Sequence, residues 1–265
     1  MKAAIIQICS KLDPNTNLAK ISELINAAKT EQPALEAVFL PEVFYSMSDG
    51  TKPTPYLIEE GNEHFQNIAD LAKKHNVYLL GGSAATKKGS GIVNRSYNFN
   101  PAGELIAQYD KIHLFTIDLA QDRTVLDEAK VYTKGSELSD FKIGQFYFGL
   151  SICFDLRFPE LYRKYYAKGV NVFTISSAFT VPTGKAHWLT LLKARAIENQ
   201  SYVIASDQWG EHNDKMKTWG HSYVIDPWGE VVAECGEGEN FALFELDYSL
   251  IEKIRGRMTM ASRLT

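Results

Sequence analysis

Short apolar, β-branched runs alternate with longer stretches of helical periodicity, and the whole arrangement occurs twice along the chain. In the first half, residues 3–8 read as a strand, and Leu18, Ile21, Ile25 and Ala28 recur at helical spacing. Residues 37–40 are a second strand stopped by Pro41. Phe65, Ile68, Ala69 and Ala72 mark a second helix, and residues 77–80 a third strand. In the second half the same order runs through strand 146–152, helix 159–168, strand 172–175, a helix marked by Trp188, Leu191, Leu192 and Ala196, and strand 202–205. Hairpin strands follow each set: 93–99 and 105–109 around Asn100-Pro101-Ala102-Gly103, then 222–225 and 231–232 around Asp226-Pro227-Trp228-Gly229. A strand at 241–246 and a short helix from residue 250 close the chain. This order predicts an α/β protein. Two such halves can bury their sheets face to face with helices outside, a four-layer α-β-β-α sandwich. An open doubly wound sheet fits the pattern equally well. With no linker or low-complexity stretch, residues 1–265 read as one domain.

Composition narrows the functional classes. The chain is 45% hydrophobic and 23% charged, ordinary for a globular core. A net charge of −4 leaves no footprint for nucleic acid, and Lys73-Lys74 and Lys87-Lys88 read as solvated faces. No apolar run approaches the ~20 residues of a membrane span. The N-terminal run turns polar at Gln7, as a first strand does and a signal peptide does not. The cysteines Cys9, Cys153 and Cys235 are odd in number and far apart, which predicts free thiols and a reducing, cytoplasmic setting.

One of those thiols has a setting for chemistry. Gly149-Leu150-Ser151-Ile152-Cys153-Phe154-Asp155-Leu156-Arg157-Phe158-Pro159-Glu160 runs an apolar strand into a cysteine and then a helix. Such a turn projects its side chain from the sheet edge and aims the next N–H groups, first that of Phe154, at a developing oxyanion. A helix N-terminus close behind favours a thiolate. The competing reading is a buried structural cysteine beside a surface Asp–Arg pair. Cys9 and Cys235 lack this setting.

A thiol needs a base near neutrality. Phe39-Leu40-Pro41-Glu42 brings Glu42 to the carboxyl end of a strand, where α/β sheets bind ligands. Tyr109-Asp110-Lys111-Ile112-His113-Leu114-Phe115 sets Lys111 in an apolar stretch, where it must snorkel or meet an anion. A solvated Glu42, a Lys111–Asp110 ion pair and a satisfied core His113 are the structural alternatives. The six histidines form no HxH or HxxxH pair, and there is no CxxC, GxGxxG or Walker sequence. The expectation is therefore chemistry without a metal or cofactor.

Taken together, FLPE with Glu42, YDKIHLF with Lys111 and GLSICFDLRFPE with Cys153, in that order, resemble the nitrilase superfamily of carbon–nitrogen hydrolases. The likeness runs from the first strand to Leu246, and it implies the four-layer sandwich. It also implies a second glutamate after the lysine. Glu128, with Gly135 downstream, occupies that place, to orient Lys111 and meet substrate; Asp127 is its adjacent rival. Phe154-Asp155 after Cys153 is similar to the amidase branch, where the nitrile-cleaving branch has Trp-Glu. Ser177-Ala178-Phe179, Thr183-Gly184-Lys185-Ala186-His187-Trp188 and Gly220-His221-Ser222 are similar to the deaminated-glutathione amidases and ω-amidases. Gln208-Trp209-Gly210-Glu211-His212 leans toward the former.

The sequence departs from these relatives in two places. Lys185 replaces their usual proline in the expected pocket loop. The tail from Arg257 to Thr265 is shorter than theirs and lacks their proline and basic-aromatic end, which weakens the implied homodimer.

The resemblance implies hydrolysis through a Cys153 thioester, with Glu42 moving protons and Lys111 and the Phe154 N–H holding the oxyanion. The expected partner is a small-molecule amide bearing a carboxylate: deaminated glutathione first, α-ketoglutaramate or an N-carbamoyl compound next. Arg157, four residues past Cys153, suits a carboxylate unless Asp155 or Glu160 pairs with it. Phe179 and Thr183 are expected to line the same mouth. Two other classes compete: a non-catalytic binding protein on the same fold, and a papain-like protease. The first has no use for Glu42, Lys111 and Cys153 together, and the second needs a histidine base.

Overall fold

A computed structural model describes residues 1–119 and 124–260. Strand Lys2–Gln7 leads into helix α1, Pro14–Glu31. Asp13 caps that helix by accepting a hydrogen bond from Asn15 N at 3.1 Å, and Pro14 starts it where a missing N–H costs nothing. Strand Ala37–Phe39, helix α2 (Glu63–His75) and strand Tyr78–Leu80 follow. These three strands pair in parallel, Ala3 opposite Ala37 and Ala37 opposite Tyr78. Antiparallel strands Ser83–Lys88, Gly91–Phe99, Leu105–Asp110 and Asn240–Glu245 complete a seven-stranded sheet.

The second half repeats the plan. Strands Phe146–Ile152, Val172–Ser177 and Tyr202–Asp207 lie parallel, joined through helices α3 (Pro159–Ala167) and α4 (Val181–Asn199). Asp140–Ile143, Tyr223–Ile225 and Val231–Glu234 extend this sheet to six strands. Helix α5, Tyr248–Arg257, ends the described secondary structure.

Alternation along the strands builds the layers. Ala4, Ile6, Val38 and Leu40 pack in one core with Ile21, Ile25 and Ala28 of α1 and Ile68, Ala69 and Ala72 of α2. Their neighbours Ala3, Ile5, Ala37 and Phe39 join a second core with Phe148, Leu150 and Ile152 of the other sheet. The Phe39 and Phe148 rings meet across the two sheets, centroids 6.3 Å apart. Tyr162 and Tyr165 of α3 and Trp188, Leu192 and Ala196 of α4 extend that core on the helix side. Helices, sheet, sheet and helices form the α-β-β-α sandwich; the open doubly wound alternative is excluded. Both faces of the central strands are buried, which explains their near-continuous apolar runs.

The structure adds strands that the pattern reading omits. Ser83–Lys88 is one, with Ala84 and Ala85 buried and Lys87-Lys88 exposed at its end. Asp140–Ile143 and two short hairpins, Thr116–Leu119 with Thr124–Asp127 and Trp209–Glu211 with Lys217–Trp219, are others. Of the C-terminal tail from Arg257, residues 261–265 lie outside the described residues. Among the described residues no helix is long and apolar enough to cross a membrane.

Candidate active site

The central parallel strands of both sheets end at one side of the sandwich, and their last residues bring the predicted side chains together. Strand Phe146–Ile152 delivers Cys153, whose φ of +47° places it in the left-handed region that non-glycine residues seldom occupy. It opens a 3₁₀ helix, Cys153–Arg157, rather than an α-helix; α3 begins only at Pro159. The first N–H groups of such a turn have no partner within it, so that of Phe154 must find one outside the turn. Cys153 is only 7% exposed. Burial, then the Glu42 carboxylate, push its thiol well above the ordinary range, against the pull of Lys111 and the Ala178 N–H. The expected favouring of a thiolate is therefore corrected: the resting group is a thiol, and it needs a base.

Glu42, 3% exposed, sits just past strand Ala37–Phe39. Its Oε1 accepts from Lys111 Nζ at 2.8 Å and from Asn94 Nδ2 at 2.8 Å. Among the described residues its Oε2 takes no hydrogen bond, so one oxygen is held and one is available. Lys111 is 1% exposed and lies 2.8 Å from Glu128 Oε2 as well. Burial alone would lower its pKa, but Glu128 and Glu42 outweigh burial and hold the ammonium well above its usual value. Burial raises the Glu128 carboxyl while Lys111 opposes that rise.

The rival partners are accounted for. Asp110 pairs with Arg95 and Lys88, not with Lys111. Asp127 accepts from its own Ala129 N at 3.1 Å and from Thr116, so Glu128 and not Asp127 reaches the lysine. Gly135 packs against Asp110, where an added Cβ would lie 2.2 Å from the Asp110 carbonyl oxygen, and its N–H binds the Lys111 carbonyl at 2.8 Å. Its lack of a side chain lets the lysine segment lie this close.

Glu42, Glu128 and Cys153 open onto a pocket of about 410 Å³ that Phe154, Arg157, Phe179 and Thr183 also line. The Arg157 guanidinium lies over the Phe154 and Phe179 rings, 5.8 and 5.5 Å from their centroids. Among the described residues it has no acidic partner: Asp155 is engaged by Tyr109 and His113, and the contacts of Arg157 are to His187 Nδ1 at 3.3–3.4 Å. The alternative pairing of Arg157 with Asp155 or Glu160 is thus not formed among the described residues.

Thr183 and Lys185 are not in a loop. Both lie in the opening turns of α4, Thr183 with its hydroxyl on Thr180 Oγ1 at 2.8 Å and Lys185 exposed. Gly184 between them packs against Trp219, whose Cβ would stand 2.3 Å from any added Cβ. That close approach seats the Lys217–Trp219 strand at the pocket rim. Asn94 and Gln208, whose Nε2 donates to the Glu42 carbonyl at 2.8 Å, were not anticipated. Their signal was present: each is a polar residue at an inward position within or beside an apolar strand. Among the described residues no three His, Cys, Asp or Glu side chains converge as a metal site requires.

The rim is anchored by His212. Its Nδ1 faces the Ser10 carbonyl at 2.9 Å, so it must carry the proton, and Nε2 then accepts from the Thr218 hydroxyl at 2.7 Å. Burial holds His212 down to about 4, and His75, buried between α1 and α2, is also held at about 4. The unfolded chain therefore binds more protons than the folded one between these values and the ordinary ~6.5. Stability from both is complete above that range and is lost as pH falls toward 4. Thermal unfolding from pH 7 to 4 should show the fall, and a wild-type profile flat over that range would refute the assignment.

Fold and pocket together define an α-β-β-α sandwich of the nitrilase superfamily type. The crystal structure of Saccharomyces cerevisiae Nit3, a member of branch 10 of the nitrilase superfamily, matches with a TM-score of 0.86 at 31% identity, covering 100% of this chain and 97% of that one. The family model for carbon-nitrogen hydrolase matches residues 2–256. The chain belongs to this carbon–nitrogen hydrolase family. A deaminated glutathione amidase of Dictyostelium discoideum is 37% identical over 257 residues, 91% of this chain and 87% of that protein. Omega-amidase NIT2 of Homo sapiens is 34% identical over 255 residues, 96% and 91% respectively. The chain spans 58% and 54% of the length of the nitrilase and fragile histidine triad fusion proteins of Caenorhabditis elegans and Drosophila melanogaster that it also matches.

Proposed function

We propose that the protein is an amidase that hydrolyses a small carboxylate-bearing amide through a thioester on Cys153, with residues 1–265 forming one catalytic domain. The observation that carries this reading is the meeting of Cys153, Glu42 and Glu128 in one pocket, with the Lys111 ammonium bound between the two carboxylates. Glu42 takes the thiol proton as sulfur attacks the amide carbonyl. Lys111 and the Phe154 N–H hold the oxyanion, each such donor worth roughly 3–4 kcal/mol in the transition state. Glu42 then passes its proton to the departing amine, leaving the acyl group on sulfur. Water, deprotonated by Glu42, releases the acid and restores the thiol. Glu128 fixes the lysine and keeps it charged.

Arg157 supports a carboxylate on the substrate. A guanidinium with no acidic partner among the described residues, lying over two aromatic rings in the pocket wall, suits an anion carried on a short carbon chain. Phe179 and Thr183 complete that wall. Deaminated glutathione is the first candidate, in keeping with the name of the Dictyostelium relative. α-Ketoglutaramate is the second, in keeping with the human omega-amidase.

Arg157→Ala should raise KM for the anionic amide by about 10- to 100-fold, the scale of one charge-assisted contact. A neutral short amide should be nearly unaffected. Equal losses on both substrates would remove the carboxylate role.

A further inference from the structure

We infer that Asp155 is a positioning residue that sets the separation of Lys111 and Cys153, through one buried carboxylate shared by the two chain segments that carry them. This rests on the reaction proposed above. Asp155 lies two residues past the sulfur and is fully buried. Its Oδ2 accepts from Ile152 N at 2.9 Å and from the Tyr109 hydroxyl at 2.7 Å. Its Oδ1 accepts from His113 N at 3.0 Å and stands 2.6 Å from His113 Nδ1. Ile152 immediately precedes Cys153, while Tyr109 and His113 stand two residues to either side of Lys111. Two main-chain and two side-chain donors therefore converge on one carboxylate, which ties the elbow to the lysine segment.

Among the described residues no direct hydrogen bond joins Lys111 to Cys153. The ammonium is tied to Glu42 and Glu128, and the elbow keeps a left-handed φ that survives only where its surroundings over-determine it. The His113 ring also stacks on Phe158, centroids 3.7 Å apart and planes within 8°, which holds the far end of the same 3₁₀ turn. Asp155 does not line the pocket, so it acts through these neighbours and not on substrate. Charge-assisted bonds to four donors are the strong kind, and their geometry is rigid. Loosening them lets the ammonium and the sulfur drift apart.

Asp155→Asn keeps the shape but turns an NH₂ toward donors, so at least one oxygen's pair of contacts is lost. The expected result is kcat lower by about 100-fold, the penalty of a displacement near 1 Å, with little change in KM because Arg157 and Phe179 are untouched. Alkylation of Cys153 by iodoacetamide, followed across pH, should slow and shift to higher pH as the sulfur loses the nearby ammonium. Should Asp155→Asn not fold, a pair of His113 variants decides. His113→Asn places a donor the same number of bonds from the main chain as Nδ1 and should keep most of the wild-type kcat. His113→Leu removes the donor and should lower kcat by about tenfold, the scale of one lost hydrogen bond.

Unchanged kcat and alkylation in Asp155→Asn or His113→Leu would overturn the inference, as would equal losses in the two His113 variants. These outcomes are distinct from failure of the proposed reaction, in which the wild type itself would form no acyl adduct on Cys153.

Discussion

Cys153→Ala protein should fold and show no turnover. The substitution removes one sulfur from a buried position, at a cost of about 1 kcal/mol, within the range of a small cavity. What is lost is the only atom in the pocket wall proposed to bond covalently to substrate. Without sulfur no thioester forms, and Glu42 has no thiol proton to take. Wild-type enzyme quenched during turnover should carry an acyl adduct by intact mass, mapped to Cys153, and the variant should carry none. An active Cys153→Ala protein, or an adduct on Cys9 or Cys235, would sink the proposal. The site explains why those two thiols differ. Burial also raises Cys9, and Cys235 is pushed up to about 12, but the charged neighbours of Cys9, Lys11, Glu211 and Glu239, are exposed, Cys235 has no lysine among its charged neighbours, and neither thiol lines the pocket.

Lys111→Met should damage both activity and stability. The ammonium is the cation between Glu42 and Glu128, and removing one partner of a buried pair costs about 3–5 kcal/mol. Two carboxylates then face each other in a dry site, so the folded protein takes up a proton that the unfolded chain does not bind at neutral pH. The sign follows from linkage. The folded pKa of the pair is raised, so its stability is intact below the unfolded value of about 4.3 and is lost as pH rises through the folded value. Denaturation midpoints of the variant should therefore fall relative to wild type as pH rises from 5 to 8. Turnover should drop by at least the roughly 100- to 1,000-fold of one lost oxyanion donor. A variant as stable as wild type across that range, or one that keeps its kcat/KM, would remove both roles of Lys111.

Local pattern carried the nucleophile and its two nearest partners into view because each stands at the end of, or within, a strand whose apolar run is unmistakable. Ile152 before Cys153, Leu40 before Glu42 and Tyr109 before Lys111 mark sheet edges in one dimension. Glu128 was reached only through the family resemblance. It belongs to a short 3₁₀ turn with no periodicity of its own, and Asp127 beside it has the same charge. The structure separates the two by direction: Asp127 turns back to cap Ala129, while Glu128 points inward to Lys111 and Phe115 N. Thr183 was expected in the pocket loop that the family resemblance implied. Proline is at home in the first turn of a helix, and packing against Trp219 keeps the glycine helical.

What the sequence by itself determined was the order of elements, the twofold repetition of strand and helix, and the chemical type of each residue at the strand ends. Those follow from periods of two and 3.6 residues, which are local and leave a linear trace. The periods alone left a sandwich and an open sheet equally open, because one alternation pattern buries equally well against helices or against another sheet; the family resemblance implied the sandwich, and the tertiary structure shows it. The tertiary structure alone decided that Arg157 faces the pocket without an acidic partner among the described residues while Asp155, two residues earlier, binds the lysine segment. Asn94, Asp155 and Gln208 gained their roles from contacts spanning 52, 42–46 and 166 residues of chain. Directed hydrogen bonds over such separations depend on where the folded strands place each side chain, and no local period records them.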